Sequence, residues 1–167
     1  MFGRVSLVLS LVLPTLAADA VLVPPSSVSV LQGVQSGTFS DLALTDSQYF
    51  VVGNPAPGIG FQHSSWTVTG NFSGLLTIGT VEVVDRMFGI GQYDRRIEAF
   101  NWAANAYVTI DVRLLQPGVT TATIPLPSPI TDYRNGSNDL RLRIRVIQVG
   151  TSALFMSHQV DRLNWDL

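Results

Sequence analysis

The sequence predicts an all-β protein with an antiparallel two-sheet β-sandwich, jelly-roll-like, of about 8–10 strands. Val, Ile, Thr and aromatic residues recur in short runs throughout the chain. Gly, Pro, Asn and Asp separate these runs, as they do between the strands of sandwiches and barrels. No stretch of useful length has the apolar periodicity of an amphipathic helix.

The apolar runs predict ten strands, each bounded by turn-forming residues. They cover residues 27–32, 36–40, 48–52, 65–72, 75–84, 95–102, 106–115, 119–124, 140–149 and 154–166. Short helical turns are expected near Asp41–Leu44 and Pro129–Tyr133. Function in sandwiches gathers in loops at the ends of the sheets. Three long loops are therefore candidate ligand contacts, namely Gly53–His63, Asp85–Arg96 and Pro125–Asp139.

Residues 1–20 have the pattern of a signal peptide. Arg4 precedes a run of nine mostly apolar residues at Val5–Leu13, and Ala18 and Ala20 supply a small-residue cleavage pattern. The run is shorter than the about 20 residues of a membrane-spanning helix. We therefore expect cleavage after Ala20, and a single domain over residues 21–167 that has no membrane span. The protein is expected to be secreted, in the extracellular space, the periplasm or at the cell surface.

The composition excludes several kinds of chemistry. The chain has no cysteine, so thiol catalysis, disulfides and cysteine–metal sites are excluded. It has no lysine either, since all ten basic residues are arginines, and so it cannot form a lysine Schiff base. The net charge is −2 and there is no basic tract, so we expect no nucleic acid partner.

Catalytic motifs are missing from the sequence. The two histidines, His63 and His158, lie far apart, and no G-x-S-x-G elbow occurs. Glycosidases use a pair of carboxylates across a cleft, but the only two glutamates, Glu82 and Glu98, fall in different predicted strands. We predict that the protein is not an enzyme; an extracellular hydrolase is the least favoured function.

The stretch Leu140–Val146, LRLRIRV, predicts a strand with two different faces. Its apolar residues point to the core, and Arg141, Arg143 and Arg145 point to solvent. Such a row of arginines could bind an acidic polysaccharide through bidentate contacts. The favoured alternative is that the arginines pair with carboxylates on neighbouring strands, such as Asp161, Asp111 or Glu98.

The stretch FNWAANAY, residues 100–107, predicts a hairpin with two candidate registers. A loop of two or four residues would put Phe100, Trp102 and Tyr107 on one face beside charged residues. A three-residue loop with Asn105 in the left-handed conformation would turn Phe100 and Trp102 inward and Tyr107 outward. The second register sorts the faces better, so we predict that Trp102 is a core residue.

A sugar-binding protein needs exposed aromatic rings on which a sugar can stack. The candidates for such a role are Trp66, Tyr93, Tyr107 and Tyr133.

A structural calcium ion is a second possibility for the turns. Calcium prefers carboxylate and carbonyl oxygens, and the stretch SDLALTD places Asp41 and Asp46 on a turn before a strand. The alternative is ordinary turn chemistry, in which these side chains bond their own backbone. No other cofactor is expected.

Several stretches together resemble a module of secreted bacterial proteins, a jelly-roll β-sandwich broadly similar to carbohydrate-binding modules. They are SVLQGVQSGTFSDLALTDSQYFVV, IEAFNWAANAYVTIDVR, and DYRNGSNDLRLRIRV followed by HQVDRLNWDL. The resemblance implies a role for Asp161 in holding a structural calcium; the alternative is a salt bridge from Asp161 to Arg143 or Arg145.

Two functions follow from the composition and the resemblance. The first is a non-catalytic structural or interaction role in a secreted or cell-surface protein, with a surface protein as partner. The alternative is a carbohydrate-binding module that recognises an extracellular polysaccharide. The sequence does not decide the oligomeric state.

Overall fold

The computed structural model describes residues 21–53, 62–76, 79–149 and 155–167. These residues form eleven strands. In chain order they are β1 (Leu22–Val23), β2 (Ser27–Gln32), β3 (Val34–Ser36), β4 (Phe50–Gly53), β5 (Gln62–Asn71), β6 (Thr80–Ile90), β7 (Tyr93–Asn101), β8 (Ala106–Leu114), β9 (Thr120–Pro125), β10 (Asp139–Gln148) and β11 (Phe155–Asp166). Two 3₁₀ turns, Phe39–Leu42 and Ile130–Tyr133, are the only helical elements of this part of the chain.

The strands form two antiparallel sheets. The first has six strands in the order β3-β4-β11-β6-β9, with β1 also paired to β11. The second has five strands in the order β2-β5-β10-β7-β8. The predicted all-β sandwich is confirmed, and every predicted strand overlaps an observed one. β1 was not expected, because two residues are too short to show a pattern.

Apolar side chains from the inner faces of both sheets form the core. The second sheet contributes Trp66 of β5 and the apolar residues of β10, and the first contributes Leu163 and Trp165 of β11. Gly70 of β5 has a steric role there, because a Cβ atom at this position would lie 2.6 Å from the ring of Trp165. The Trp165 indole therefore fits against β5 because Gly70 has no side chain.

A buried ionic cluster joins the two sheets. Arg95 of β7 bonds Asp85 of β6 at 2.6 Å and Asp111 of β8 at 2.6 Å. His158 of β11 places Nε2 2.8 Å from Asp85 Oδ2. Burial by itself would raise the pKa of Asp85, but bonds and charge from His158, and then from Arg95, hold that pKa well below its usual value.

This cluster corrects one loop prediction. Asp85–Arg96 is not a loop, because β6 continues to Ile90 and β7 begins at Tyr93, so that only Gly91 and Gln92 lie between these two strands. Asp85 and Arg95, at the two ends of the predicted loop, are both buried and lie against each other.

The other two predicted loops differ in how far they can be compared with the structure. Pro125–Asp139 is a loop as predicted, and it contains the second 3₁₀ turn. Most of Gly53–His63, like the predicted signal peptide at residues 1–20, lies outside the described residues. No helix in the described part of the chain has the length and apolar character that crossing a membrane requires.

Candidate functional site

The central strand of the five-stranded sheet, β10, has one apolar and one cationic face. Leu140, Leu142, Ile144 and Val146 are buried, as expected from the alternation of the sequence. Arg141, Arg143 and Arg145 alternate with them and lie on the outer face of the sheet, each partly exposed. The predicted division of this strand into two faces is confirmed.

Glu98 of β7 forms salt bridges with two of these arginines. It lies directly across from Arg143 in the register of β7 and β10, and its carboxylate accepts bonds from both Arg143 and Arg145. The Glu98 side chain is only 4% exposed, so the two charge-assisted bonds lie largely out of water.

The predicted pairing of arginines with carboxylates of neighbouring strands is therefore confirmed for Glu98. Asp111 pairs with Arg95 and Arg113 instead, since it lies next to the buried cluster between the sheets. Asp161 belongs to the other sheet, where its Oδ1 accepts the backbone N–H groups of Asp46 and Ser47 at 3.2 and 2.9 Å.

The hairpin of β7 and β8 has the four-residue turn of the first alternative, and not the three-residue loop that was favoured. Asn101 pairs with Ala106 and Phe100 with Tyr107, which leaves a four-residue turn of Trp102 to Asn105. Asn101 Oδ1 accepts the N–H of Ala104 at 2.7 Å. Asn105 has φ of 50°, so the expected left-handed conformation is present at that residue.

The register places three aromatic rings on the outer face of the sheet. Ile97 and Ala99 of β7 are buried, so Glu98 and Phe100 face outward. Tyr107, across from Phe100, faces outward too, and Trp102 follows in the turn. The prediction that Trp102 is a core residue is wrong, because the strand register is one residue away from the expected one and a one-residue shift reverses the faces.

The three rings form one cluster, with Phe100 between the other two. Its centroid lies 4.7 Å from that of Trp102 and 4.9 Å from that of Tyr107, with interplanar angles of 75° and 72°. These are edge-to-face contacts, the preferred geometry of aromatic pairs. The cluster is therefore a stepped surface, and all three rings remain partly exposed.

Two arginines of β10 pack against this aromatic cluster. The guanidinium of Arg141 lies 4.8 Å from the centroid of Trp102 and 5.4 Å from that of Phe100, and that of Arg143 lies 4.0 Å from the centroid of Tyr107. These are cation–π distances.

The Pro125–Asp139 loop contacts the end of the hairpin, because the N–H of Trp102 donates to the carbonyl of Asp132 at 2.7 Å.

We define the binding face as the outer surface formed by these aromatic and charged residues. Its members are Arg96, Glu98, Phe100, Trp102, Tyr107, Arg141, Arg143 and Arg145. It offers polarised N–H donors beside partly exposed aromatic rings, the combination that recognises polar ligands with apolar patches.

Of the four predicted stacking residues, only Tyr107 lies on the binding face. Trp66 is 0% exposed and packs on Phe50, with centroids 4.9 Å apart. Tyr93 and Tyr133 are buried as well. Their burial corrects the expectation that they could stack on a ligand. Phe100 and Trp102 were absent from the predicted stacking residues because the three-residue loop was favoured, and the four-residue alternative for the hairpin places both on the face where they are found.

The predicted metal ligands have other partners in this structure. Asp41 accepts the N–H of Thr38 at 2.8 Å, as the cap of the first 3₁₀ turn. Asp46 accepts the N–H of Gln48 at 2.9 Å, and Asp161 ties the Asp46 turn to β11. Within the described residues, no three His, Cys, Asp or Glu side chains are grouped as a metal ion would require. These contacts agree with ordinary turn chemistry.

The pair of His158 and Asp85 is placed where a substrate cannot reach it. Both side chains are 0% exposed, between the sheets. The two glutamates lie in different sheets, Glu98 bonded to arginines of β10 and Glu82 to Arg162 of β11. Neither arrangement resembles a pair of carboxylates that share a cleft.

Solved structures with a similar fold include carbohydrate-binding modules. A point mutant of a family 29 carbohydrate-binding module matches with a TM-score of 0.55 and 11% identity, over 89% of this chain and 87% of that chain. The chain has the β-sandwich fold of these modules. Two further mutants of that module, in complex with mannohexaose and with cellulohexaose, both match with a TM-score of 0.52, at 11% and 13% identity. These matches cover 89% of this chain and 93% and 92% of the respective modules.

The resemblance to carbohydrate-binding modules that the sequence suggested is thus confirmed for the fold. No protein-family profile matches the chain, and no curated protein matches it.

Proposed function

We propose that this protein is a non-catalytic carbohydrate-binding module, which binds an extracellular polysaccharide on the binding face. The observation that carries the proposal is the cluster of Phe100, Trp102 and Tyr107 beside the guanidinium groups of Arg141 and Arg143. The fold supports it, since related sandwiches have been solved with mannohexaose and cellulohexaose bound.

The chemistry of the face suits a sugar chain. The apolar C–H side of a pyranose ring can pack on a partly exposed aromatic ring, which has a large apolar surface. Sugar hydroxyl groups can accept bonds from guanidinium N–H groups nearby, and Arg141 presents five such donors in a planar fork. Strands carry Phe100, Tyr107 and the arginines, so that little backbone entropy is lost when a ligand binds.

The positions of the two glutamates support a binding role without catalysis, because they do not share a cleft. Glu98 is bonded by two arginines, and Glu82 belongs to the other sheet. A hydrolase of glycosidic bonds requires two carboxyl groups roughly 5–9.5 Å apart across the ligand. The binding face contains one glutamate, Glu98, at its centre, and both of its partners there are arginines.

The experiment is a binding assay of the chain from Val21 onward against a panel of soluble polysaccharides by affinity electrophoresis. We expect retardation by at least one polysaccharide, and its loss in Tyr107→Ala and in Trp102→Ala. Tyr49→Ala is the matched control, because Tyr49 also lies under a guanidinium, that of Arg86 at 4.3 Å, but away from the binding face.

If both Tyr107→Ala and Trp102→Ala still bind the polysaccharide as wild type does, the ligand binds elsewhere on the protein. If no polysaccharide binds, the proposal fails, and a structural or interaction role with a surface protein becomes the better function.

A further inference from the structure

The binding face is unusually rich in arginine for a chain with a net charge of −2. It holds four of the ten arginines, while Glu98 is the only carboxylate among its members. Two further acidic residues, Asp94 and Asp139, stand at its two ends. The centre of the face is therefore positive even though the whole chain is acidic.

Arg141 has no carboxylate within ion-pair distance among the described residues. The nearest acidic residue on its strand, Asp139, has its two carboxylate oxygens engaged by the side-chain amides of Asn71 and Asn135, at 3.1 and 3.0 Å. The Arg141 guanidinium lies within cation–π distance of the rings of Phe100 and Trp102. Arg141 thus makes no salt bridge in the described chain, and Asp139 is an acidic neighbour that interacts with its charge only at longer range.

Arg96 lies next to another arginine. It is directly opposite Arg145 in the register of β7 and β10, and like charges in facing positions destabilise a sheet. Glu98 bonds Arg145 but not Arg96. The Nε atoms of Arg96 and Arg145 are both buried without a hydrogen-bond partner in the described structure. An anion bound beside the partly exposed side chains of Arg96 and Arg145 would relieve the repulsion between them.

We infer that the ligand of the binding face is a polysaccharide with anionic groups, carboxylate or sulfate, bound through Arg141 at the aromatic end and Arg96 at the other end. The inference rests on the proposed carbohydrate-binding function and names its ligand class. The anionic groups would pair with the guanidinium forks while the sugar rings pack on Trp102 and Tyr107.

The test compares four ligands by isothermal titration calorimetry at low salt. They are polygalacturonate, the same polymer with its carboxylates methyl-esterified, dextran sulfate and uncharged galactomannan. We expect polygalacturonate or dextran sulfate to bind at least about tenfold more tightly than the methyl-esterified and uncharged polymers. Binding of the anionic ligand should weaken as salt is raised.

Two substitutions distinguish binding at a defined site from a general attraction between the protein and a polyanion. Arg141→Gln should weaken anionic binding about tenfold, as loss of one charge-assisted contact does. Arg86→Gln, which removes the same charge and the same kind of ring contact on the other sheet, should leave binding unchanged. Arg96→Gln is the second binding-face variant, and circular dichroism checks that each variant is folded.

The outcomes distinguish the two proposals. Equal binding of the methyl-esterified and free-acid polymers, or of uncharged galactomannan alone, overturns the inference and leaves the proposed function standing. An equal loss in Arg86→Gln and Arg141→Gln also overturns it, since attraction would then be general. If none of the four polymers nor any other glycan binds, both fail.

Discussion

The guanidinium of Arg143 lies over the ring of Tyr107 while its Nε donates to the carboxylate of Glu98. One side chain thus links an aromatic ring of β8 with a nearly buried acid of β7. On the binding face a single arginine side chain can contact both an aromatic ring and a carboxylate, and substitutions can remove these contacts one at a time.

Replacement of Tyr107 by alanine should affect binding far more than stability. The ring is partly exposed, so its loss should lower the free energy of unfolding by only about 1 kcal/mol, mostly through lost cation–π and ring–ring contacts. Urea unfolding measures this change, and affinity electrophoresis measures binding. A stability loss of core size would show that the ring is a packing residue.

Replacement of Trp66 by alanine should have the opposite profile. The indole is 0% exposed in the core, and such truncations cost about 3–5 kcal/mol. Urea unfolding of Trp66→Ala should therefore show a much lower midpoint than that of Tyr107→Ala. If the protein remains as stable as wild type, the described core packing around Trp66 is incorrect.

Replacement of Glu98 by glutamine should destabilise the protein and strengthen binding of anionic ligands. Arg143 and Arg145 lose their shared charged partner, which should cost about 1–3 kcal/mol. The same two guanidinium groups then become available, so affinity for polygalacturonate should rise at least about threefold. Calorimetry measures the affinity; a fall in affinity would mean that Glu98 itself contacts the ligand.

Stability should decline in acid through the buried cluster. Because the pKa of Asp85 is lower in the folded protein than in the unfolded chain, its stabilisation is complete above about pH 4 and is lost as the pH falls towards the folded-state pKa. Asp111 shifts in the same direction: burial by itself would raise its pKa, but bonds from Arg113 and Arg95 lower it.

Asp85→Asn removes the Asp85 part of this effect. The variant should be about 3–5 kcal/mol less stable at pH 7, because Arg95 and His158 lose a buried anionic partner. Its stability should also fall less steeply than that of wild type between pH 4 and pH 2. Thermal melts across this range test both points, and parallel pH curves for the two proteins would contradict the assignment.

Asp161 should contribute to stability without calcium. Its Oδ1 accepts two backbone N–H groups, so Asp161→Ala should cost about 1–3 kcal/mol, with and without a chelator. Asp161→Asn keeps an acceptor oxygen and is the control. We expect the wild-type melting temperature to be unchanged by a calcium chelator; a clear fall on chelation would support the structural calcium ion instead.

The period-two alternation of β10 predicted its two faces correctly. With an apolar residue at every second position, only one orientation of the strand buries all the apolar side chains. The hairpin was harder. Its register depends on a four-residue turn and on a bulge at β8, where Ile97 pairs with Asp111 and Glu98 with Thr109. Neither feature has a strong local pattern, so Trp102 was placed inside. Buried charges such as Arg95 were also missed, since their partners come from distant strands.

Another consequence follows from the pairing of β1 with β11. Val21 and Leu167 exchange two backbone hydrogen bonds, of 2.8 and 3.1 Å. If the sandwich were inserted into a longer polypeptide, the points where the chain enters and leaves it would lie side by side, like the two ends of a short loop. Inserted into a surface turn of a host enzyme, the sandwich would project as a side branch and leave the host's own strands undisturbed.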